Sequence, residues 1–285
     1  MKNIKLIALD MDGTLFNNQG EISERDRETL QRAVKEGVAV AVATGRAYTE
    51  LPADMLSEIG IRYAITGNGS GVYRIPEGSR VYADCIDTEV LCEILEKLRH
   101  LNVYYDIYVD GKVYCEPSVK PLIRKMDMPE SLHEHIFRTR NWVDDLSSFL
   151  KNSGRQAEKT TINFALTEDG NYAGREETAC MLDEYPQVSY LCGGYHNLEF
   201  TRAGVTKGTG LHFLAERIGV TLEETMACGD SENDLSMLME AGTAVAMENG
   251  MEEVKAAADF VTSSNEDSGV AYAVERLLFE EAIEK

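Results

Sequence analysis

Two acids stand two positions apart in Asp10-Met11-Asp12-Gly13-Thr14-Leu15, directly after a short apolar run. On an extended chain that spacing lets both carboxylates project to one side. At the carboxyl end of a strand they would meet solvent together, where two like charges are costly unless a cation or a proton separates them. Gly13 and Thr14 let the backbone turn and offer donors to an anion. A second acidic run, Cys228-Gly229-Asp230-Ser231-Glu232-Asn233-Asp234, follows another apolar segment. Magnesium takes oxygen ligands and keeps several waters, so a few carboxylates from separate loops suffice to hold it. Asp230 reads as a direct ligand, and Asp234, one helical turn on, as its support. Thr44, in Ala43-Thr44-Gly45-Arg46, carries a hydroxyl suited to a phosphate oxygen. Lys207, in Thr206-Lys207-Gly208, carries an ammonium that can neutralise phosphate and Asp10. Taken singly, each run has a plainer reading: a turn rich in Asp and Gly, a capped helix start, a helix cap at Thr44, a surface lysine at 207.

The elements that must position these residues alternate between strand and helix. Residues 4–9 form a short apolar run of strand type. Ser23 caps a helix, with Asp26 in its first turn and Gly37 at its end. Residues 38–43 are almost continuously apolar, the pattern of a strand buried on both faces of a parallel sheet. A further helix leads to a strand at 63–65. This order predicts an α/β fold with a doubly wound, Rossmann-like parallel sheet, with ligands at the carboxyl ends of its strands. The middle reads differently: helical periodicity at 89–100 and 175–184, strands at 161–166 and 188–192, and a hairpin of 104–109 with 112–115 about an Asp110-Gly111 turn. After Gly193-Gly194 the alternation returns, with helices at 206–218, 231–239, 252–258 and 269–281 and strands at 225–228, 244–247 and 260–262. The expected organisation is a core of 1–82 and 194–285 with an inserted α+β cap at 83–193.

The balance of charge narrows the partners. Across 285 residues, 28 Lys and Arg against 49 Asp and Glu leave a formal charge of -21. Such a surface repels nucleic acids and anionic membranes. It would also repel a phosphorylated substrate unless cations sit in the site, which again favours a bound divalent metal. No apolar run reaches the roughly 18 residues a membrane span needs, and the first residues read as a strand rather than a signal peptide. Cys85, Cys92, Cys115, Cys180, Cys192 and Cys228 form no CxxC pair, so free thiols in a reducing, cytoplasmic setting are expected rather than zinc. The tyrosines at 104–114 read as occupants of half-buried strands.

In this order the four motifs resemble those of the haloacid dehalogenase superfamily of phosphatases. The chain looks most like the Cof-type branch, whose large α+β cap is inserted between the second and third motifs. Gly67-Asn68-Gly69, Asn197-Leu198-Glu199-Phe200 and Asn265-Glu266-Asp267-Ser268-Gly269-Val270 support the resemblance; Ser70 and Glu248 depart from it. It implies that Asp10 attacks phosphorus and that Asp12 protonates the leaving oxygen, then activates water. It further implies that Thr44 and Lys207 bind the phosphoryl group, with Gly13, Gly45, Arg46 and Asn233 as further substrate contacts. Arg46 reads equally as half of a structural salt bridge. Magnesium would lie on carboxylate oxygens of Asp10 and Asp230 and the Asp12 carbonyl. The expected substrate is a small phosphorylated metabolite, with sugar phosphates first, and the expected state a monomer or homodimer. A phosphomutase or phosphotransferase of the same superfamily, or a non-catalytic sugar-phosphate sensor, are the alternatives.

Overall fold

A computed structural model describes residues 3–279. The chain forms two compact units. The first runs from the amino end to Arg46, includes Leu51–Tyr82, and resumes at Thr206; the second comprises Ala47–Glu50 and Ala83–Val205. In chain order the strands are β1 (Leu6–Leu9), β2 (Ala39–Ala43), β3 (Tyr63–Thr66), β4 (Gly71–Arg74) and β5 (Arg80–Ala83). Then follow β6 (Tyr104–Val109), β7 (Lys112–Cys115), β8 (Asn141–Trp142), β9 (Lys159–Asn163), β10 (Val188–Cys192) and β11 (Leu198–Arg202). β12 (Thr225–Gly229), β13 (Thr243–Ala246) and β14 (Phe260–Val261) complete the set.

The first sheet has the order β14-β13-β12-β1-β2-β3-β4-β5. It is parallel from β14 to β3, whereas β4 pairs antiparallel with β3, an edge the apolar pattern does not announce. All four residues of β1 are buried, as a strand sandwiched between helices requires. Leu6 and Ala8 face Leu211, Leu214 and Ala215 of the helix Lys207–Ile218. On the other flank the helix Glu24–Lys35 is capped by Ser23, whose hydroxyl accepts from Asp26 N. Asp26 in turn accepts from Ala271 N at 2.7 Å and so joins this helix to Gly269–Val274. The expected helix at 269–281 is α-helical to Val274 and then widens into a π turn, Glu275–Phe279; residues 280 and 281 lie outside the described part. From β1 the chain steps one way to β2 and β3, and returns on the other side as β12 and β13. That reversal opens a crevice at the carboxyl ends of β12, β1 and β2.

The second unit is built on the sheet β10-β11-β9-β6-β7-β8. The β6–β7 hairpin turns at Asp110 (φ 50°) and Gly111 (φ 71°), both left-handed as a type I′ turn requires. Ile107, Val109, Ile162 and Phe200 share a core with Leu91, Leu95 and Leu98 of the helix Thr88–Leu101. Asp106 accepts from Tyr104 Oη at 2.9 Å and from Arg140 Nε at 3.0 Å, and Arg140 also donates to Glu50 at 2.7 Å. Thr49 N donates to Gly111 O at 2.9 Å. These bonds explain why Ala47–Glu50, next to β2 in sequence, belong to the second unit. β11 pairs with β10 and β9, so this unit runs to Val205 rather than stopping at 193. β9 begins at Lys159, two residues before the expected strand, because the ammonium is buried on Glu199 at 2.8 Å and so occupies a strand position that a charge conceals.

Candidate functional site

β1 delivers Asp10 to the crevice, with Asp10 N donating to Cys228 O of β12 at 3.0 Å. Because Leu9 pairs with Cys228 on one side and Val42 on the other, Asp10, Thr44 and Asp230 leave neighbouring strands at nearly one level. Lys207 is the first residue of its helix, held there by Thr206, whose hydroxyl accepts from Thr209 N. Gly69 (φ +102°) makes room for that start, since a Cβ on it would lie 1.8 Å from Thr206 O.

Lys207 Nζ donates to Asp10 Oδ1 at 2.6 Å and to Asp234 Oδ1 at 2.7 Å. The lysine is 1% exposed, Asp10 5% and Asp234 0%, so this is an enclosed charge cluster rather than a surface pair. Asp234 Oδ2 accepts from the backbone N–H groups of Asp230 and Ser231, each at 3.0 Å. Both its oxygens are thereby used to hold the lysine and the loop. This turn back onto the loop also explains why the expected helix at 231–239 opens as a short 3-10 turn and becomes α-helical at Leu235. Asp230 packs against Gly13, where a Cβ would sit 2.6 Å from Oδ2, and accepts from Thr14 Oγ1 at 3.0 Å.

The electrostatics favour a cation. Burial raises the Asp10 carboxyl well above the usual range and Asp234 and Asp230 push it further, against the pull of Lys207. Burial, then Asp234, raises Asp230 to about 6, with Thr14, Lys207 and a hydrogen bond to Asp10 opposing. Burial works to lower Lys207, but Asp10 and Asp234 hold it above its ordinary value. Two acids that bind protons this readily, beside each other, are short of positive charge. Carboxylate oxygens of Asp10, Asp230 and Asp234 lie within 4.8 Å of one another. The donors are all oxygen, which suits magnesium. With Asp234 occupied by Lys207 and the loop, Asp10 and Asp230 are the carboxylates that could hold such an ion.

The other candidates fall around this cluster. Asp12 forms a two-point ion pair with Arg46, Nε to Oδ2 at 2.9 Å and Nη2 to Oδ1 at 2.5 Å. Thr44 is 2% exposed, and its Oγ1 accepts from Arg46 N at 3.2 Å; Gly45 between them is half-buried. Asn233 donates to Asn68 Oδ1 at 3.2 Å and accepts from Ser231 Oγ at 2.9 Å, tying the loop after β12 to the turn after β3. Ser70, one of the two departures, donates to Gly67 O at 2.8 Å and closes that turn. Two asparagines given no role from the sequence also reach the site. Asn249 donates to Gly13 O at 2.8 Å, and Asn265 to Phe16 O at 2.9 Å. Each stands shortly after an apolar strand, and Asn265 opens a run that supports the family resemblance, but neither signal gave these residues a role.

The chain belongs to the haloacid dehalogenase-like hydrolases, whose family profile matches residues 7–274. It is 29% identical to the phosphatase YwpJ of Bacillus subtilis over 96% of this chain and all of that protein. It is 30% identical to the 5-amino-6-(5-phospho-D-ribitylamino)uracil phosphatase YwtE of the same organism, over 96% of this chain and 98% of that one. A solved structure of a subclass IIB sugar phosphatase is similar over 95% of this chain and 98% of that chain, at 26% identity and a TM-score of 0.72. Within its family the chain is an enzyme of the phosphatase kind. Among the described residues, no helix is long and apolar enough to cross a membrane.

Proposed function

We propose that this phosphatase is magnesium-dependent and hydrolyses small phosphorylated metabolites, sugar phosphates first, through an aspartyl-phosphate on Asp10. The observation that carries the reading is the buried Lys207 bridging Asp10 and Asp234, with Asp230 alongside. Lys207 holds the Asp10 carboxylate in one orientation and adds a positive charge where phosphate oxygens would gather. Asp10 attacks phosphorus with a carboxylate oxygen; the P–O bond to the leaving group breaks, and Asp12 gives the leaving oxygen its proton. Asp12, ionised again, then takes a proton from water as the water attacks phosphorus. Inorganic phosphate leaves and Asp10 is restored. Magnesium, held by carboxylate oxygens of Asp10 and Asp230 and the Asp12 carbonyl, would supply charge neutralisation for the phosphoryl oxygens. Thr44 Oγ1 and the N–H groups near Gly13 and Gly45 are the proposed phosphate donors. Arg46 and Asn233 are the proposed outer contacts.

The sugar-phosphate class is supported by relatives whose names specify a phosphate on a ribityl chain or on a sugar. Six cysteines free of disulfides fit a cytoplasmic enzyme, working as monomer or homodimer. The test is phosphate release from an aryl phosphate and a panel of sugar phosphates, with magnesium, with EDTA, and for Asp10→Asn. Full activity of that variant would sink the nucleophile, and undiminished activity in EDTA would sink the metal.

A further inference from the structure

The loop after β13, residues 247–251, touches both halves of the acidic cluster. Its backbone is tied to the loop carrying Asp230: Met247 N donates to Gly229 O at 3.0 Å and Met251 N to Asp230 O at 2.8 Å. Its side chain Asn249 reaches the other way, donating to Gly13 O at 2.8 Å on the turn that carries Asp10 and Asp12. The amide has no freedom to flip. Gly13 O can only accept, while the Asn249 oxygen accepts from Asn265 N at 3.0 Å, a group that can only donate. Asn265, 6% exposed, then donates through its own amide to Phe16 O at 2.9 Å, at the far end of the same turn. Two carbonyls of the Asp10–Phe16 turn are thus held by side chains whose backbone anchors lie beside Asp230 and beyond β14.

We propose that Asn249, braced by Asn265, is a positioning residue for this site: it sets the spacing between the Asp10 and Asp12 turn and the Asp230 loop. The proposal rests on the magnesium-phosphatase reading above. The Asn249 amide is engaged by Gly13 O and Asn265 N, so the residue acts through the turn. It acts because Gly13 (φ +84°) packs directly on the Asp230 carboxylate, so a turn released at Gly13 O drifts relative to that carboxylate. Groups that orient metal ligands in this way are worth about 10–100-fold in metal affinity or activity.

Asn249→Asp keeps the size and the acceptor for Asn265 N, but loses the donor and sets an oxygen against Gly13 O. Its magnesium dissociation constant, from titration calorimetry, is expected to rise at least ~10-fold. Its kcat should fall by a similar factor while KM stays within about twofold, as loss of transition-state alignment without loss of substrate contact requires. Melting in EDTA should shift by only a few degrees, because no packed apolar group is removed. Asn265→Ala leaves Gly13 and Asn249 intact and is expected to weaken magnesium in the same direction by a smaller factor; it decides alone if Asn249→Asp does not fold. Wild-type magnesium affinity in both variants overturns the proposal, and so does a kcat loss with unchanged magnesium affinity. A wild type that releases no phosphate overturns the functional reading itself, whereas an active wild type with indifferent variants overturns only the positioning role.

Discussion

Lys207→Met keeps a long unbranched side chain and deletes its charge. In the folded protein the ammonium lies 2.6 Å from Asp10 and 2.7 Å from Asp234, so one cation offsets two enclosed carboxylates. Breaking a buried pair by removing one partner costs about 3–5 kcal/mol, because the remaining charge stays dry. In a folding unit of roughly 150–250 residues, each kcal/mol lowers Tm by about 2–4 °C. The variant should therefore melt roughly 6–20 °C below wild type in EDTA near neutral pH. The deficit also has a sign with pH. Burial already raises Asp10, Asp234 adds to it, and Lys207 opposes both, so losing the lysine raises Asp10 further. An acid whose folded pKa exceeds its unfolded one takes up a proton on folding, and stability then falls as pH rises between the two values. The variant should lose stability with rising pH more steeply than wild type, and the two should converge toward acid pH. Thermal melts in EDTA at several pH values read this directly. A deficit below about 1 kcal/mol, or one that does not change with pH, would refute the compensation argument.

Gly13→Ala puts a Cβ at φ +84°, 2.6 Å from Asp230 Oδ2. About 1–3 kcal/mol of stability should be lost together with magnesium affinity, and calorimetry that finds the ion binding as before would show that the turn yields without moving Asp230. Asp12→Asn should lower kcat about 10²–10⁴-fold. Its melting should change by no more than about 1 kcal/mol, since the Asp12–Arg46 pair is 59% and 37% exposed; an unchanged kcat would remove the acid–base role. Asp230 is raised to about 6, by burial and then Asp234, so protons should compete with magnesium and its apparent affinity should climb as pH rises through about 6. In EDTA the same acid takes up a proton on folding, and its contribution to stability should decline from about pH 4 to about pH 6; a flat magnesium affinity across that window would contradict both.

Much of the first unit was legible because buried parallel strands are apolar throughout and end where the chemistry starts. Residues 4–9 and 38–43 show this, and the acids and hydroxyl at 10, 44 and 230 follow such runs immediately. What could not be read depends on distant partners. Glu50 joins the second unit through Arg140, and nothing near residue 50 signals that. β9 starts on a lysine whose counter-charge, Glu199, lies beyond the next helix and strand. Asn249 is one polar residue after a strand until Gly13 O is seen 2.8 Å from its amide.

The sequence expects Asp230 as a direct ligand and Asp234, one helical turn on, as its support, and the hydrogen bonds supply a physical reason for that division. The division comes from saturation. Asp234 spends one oxygen on Lys207 and the other on two backbone N–H groups, so an ion drawn to it would have to displace bonds that hold the loop in place. Asp230 accepts from Thr14 and shares a hydrogen bond with Asp10, yet remains short of positive charge, which its raised pKa expresses. Replacing Asp234 by Asn should therefore act first on the loop and on Lys207, lowering Tm in EDTA. Replacing Asp230 by Asn should raise Tm in EDTA, by relieving repulsion from Asp234, while weakening magnesium. Melts of the two variants with and without magnesium separate these effects, and an Asp230→Asn protein that is destabilised in EDTA would reverse the assignment.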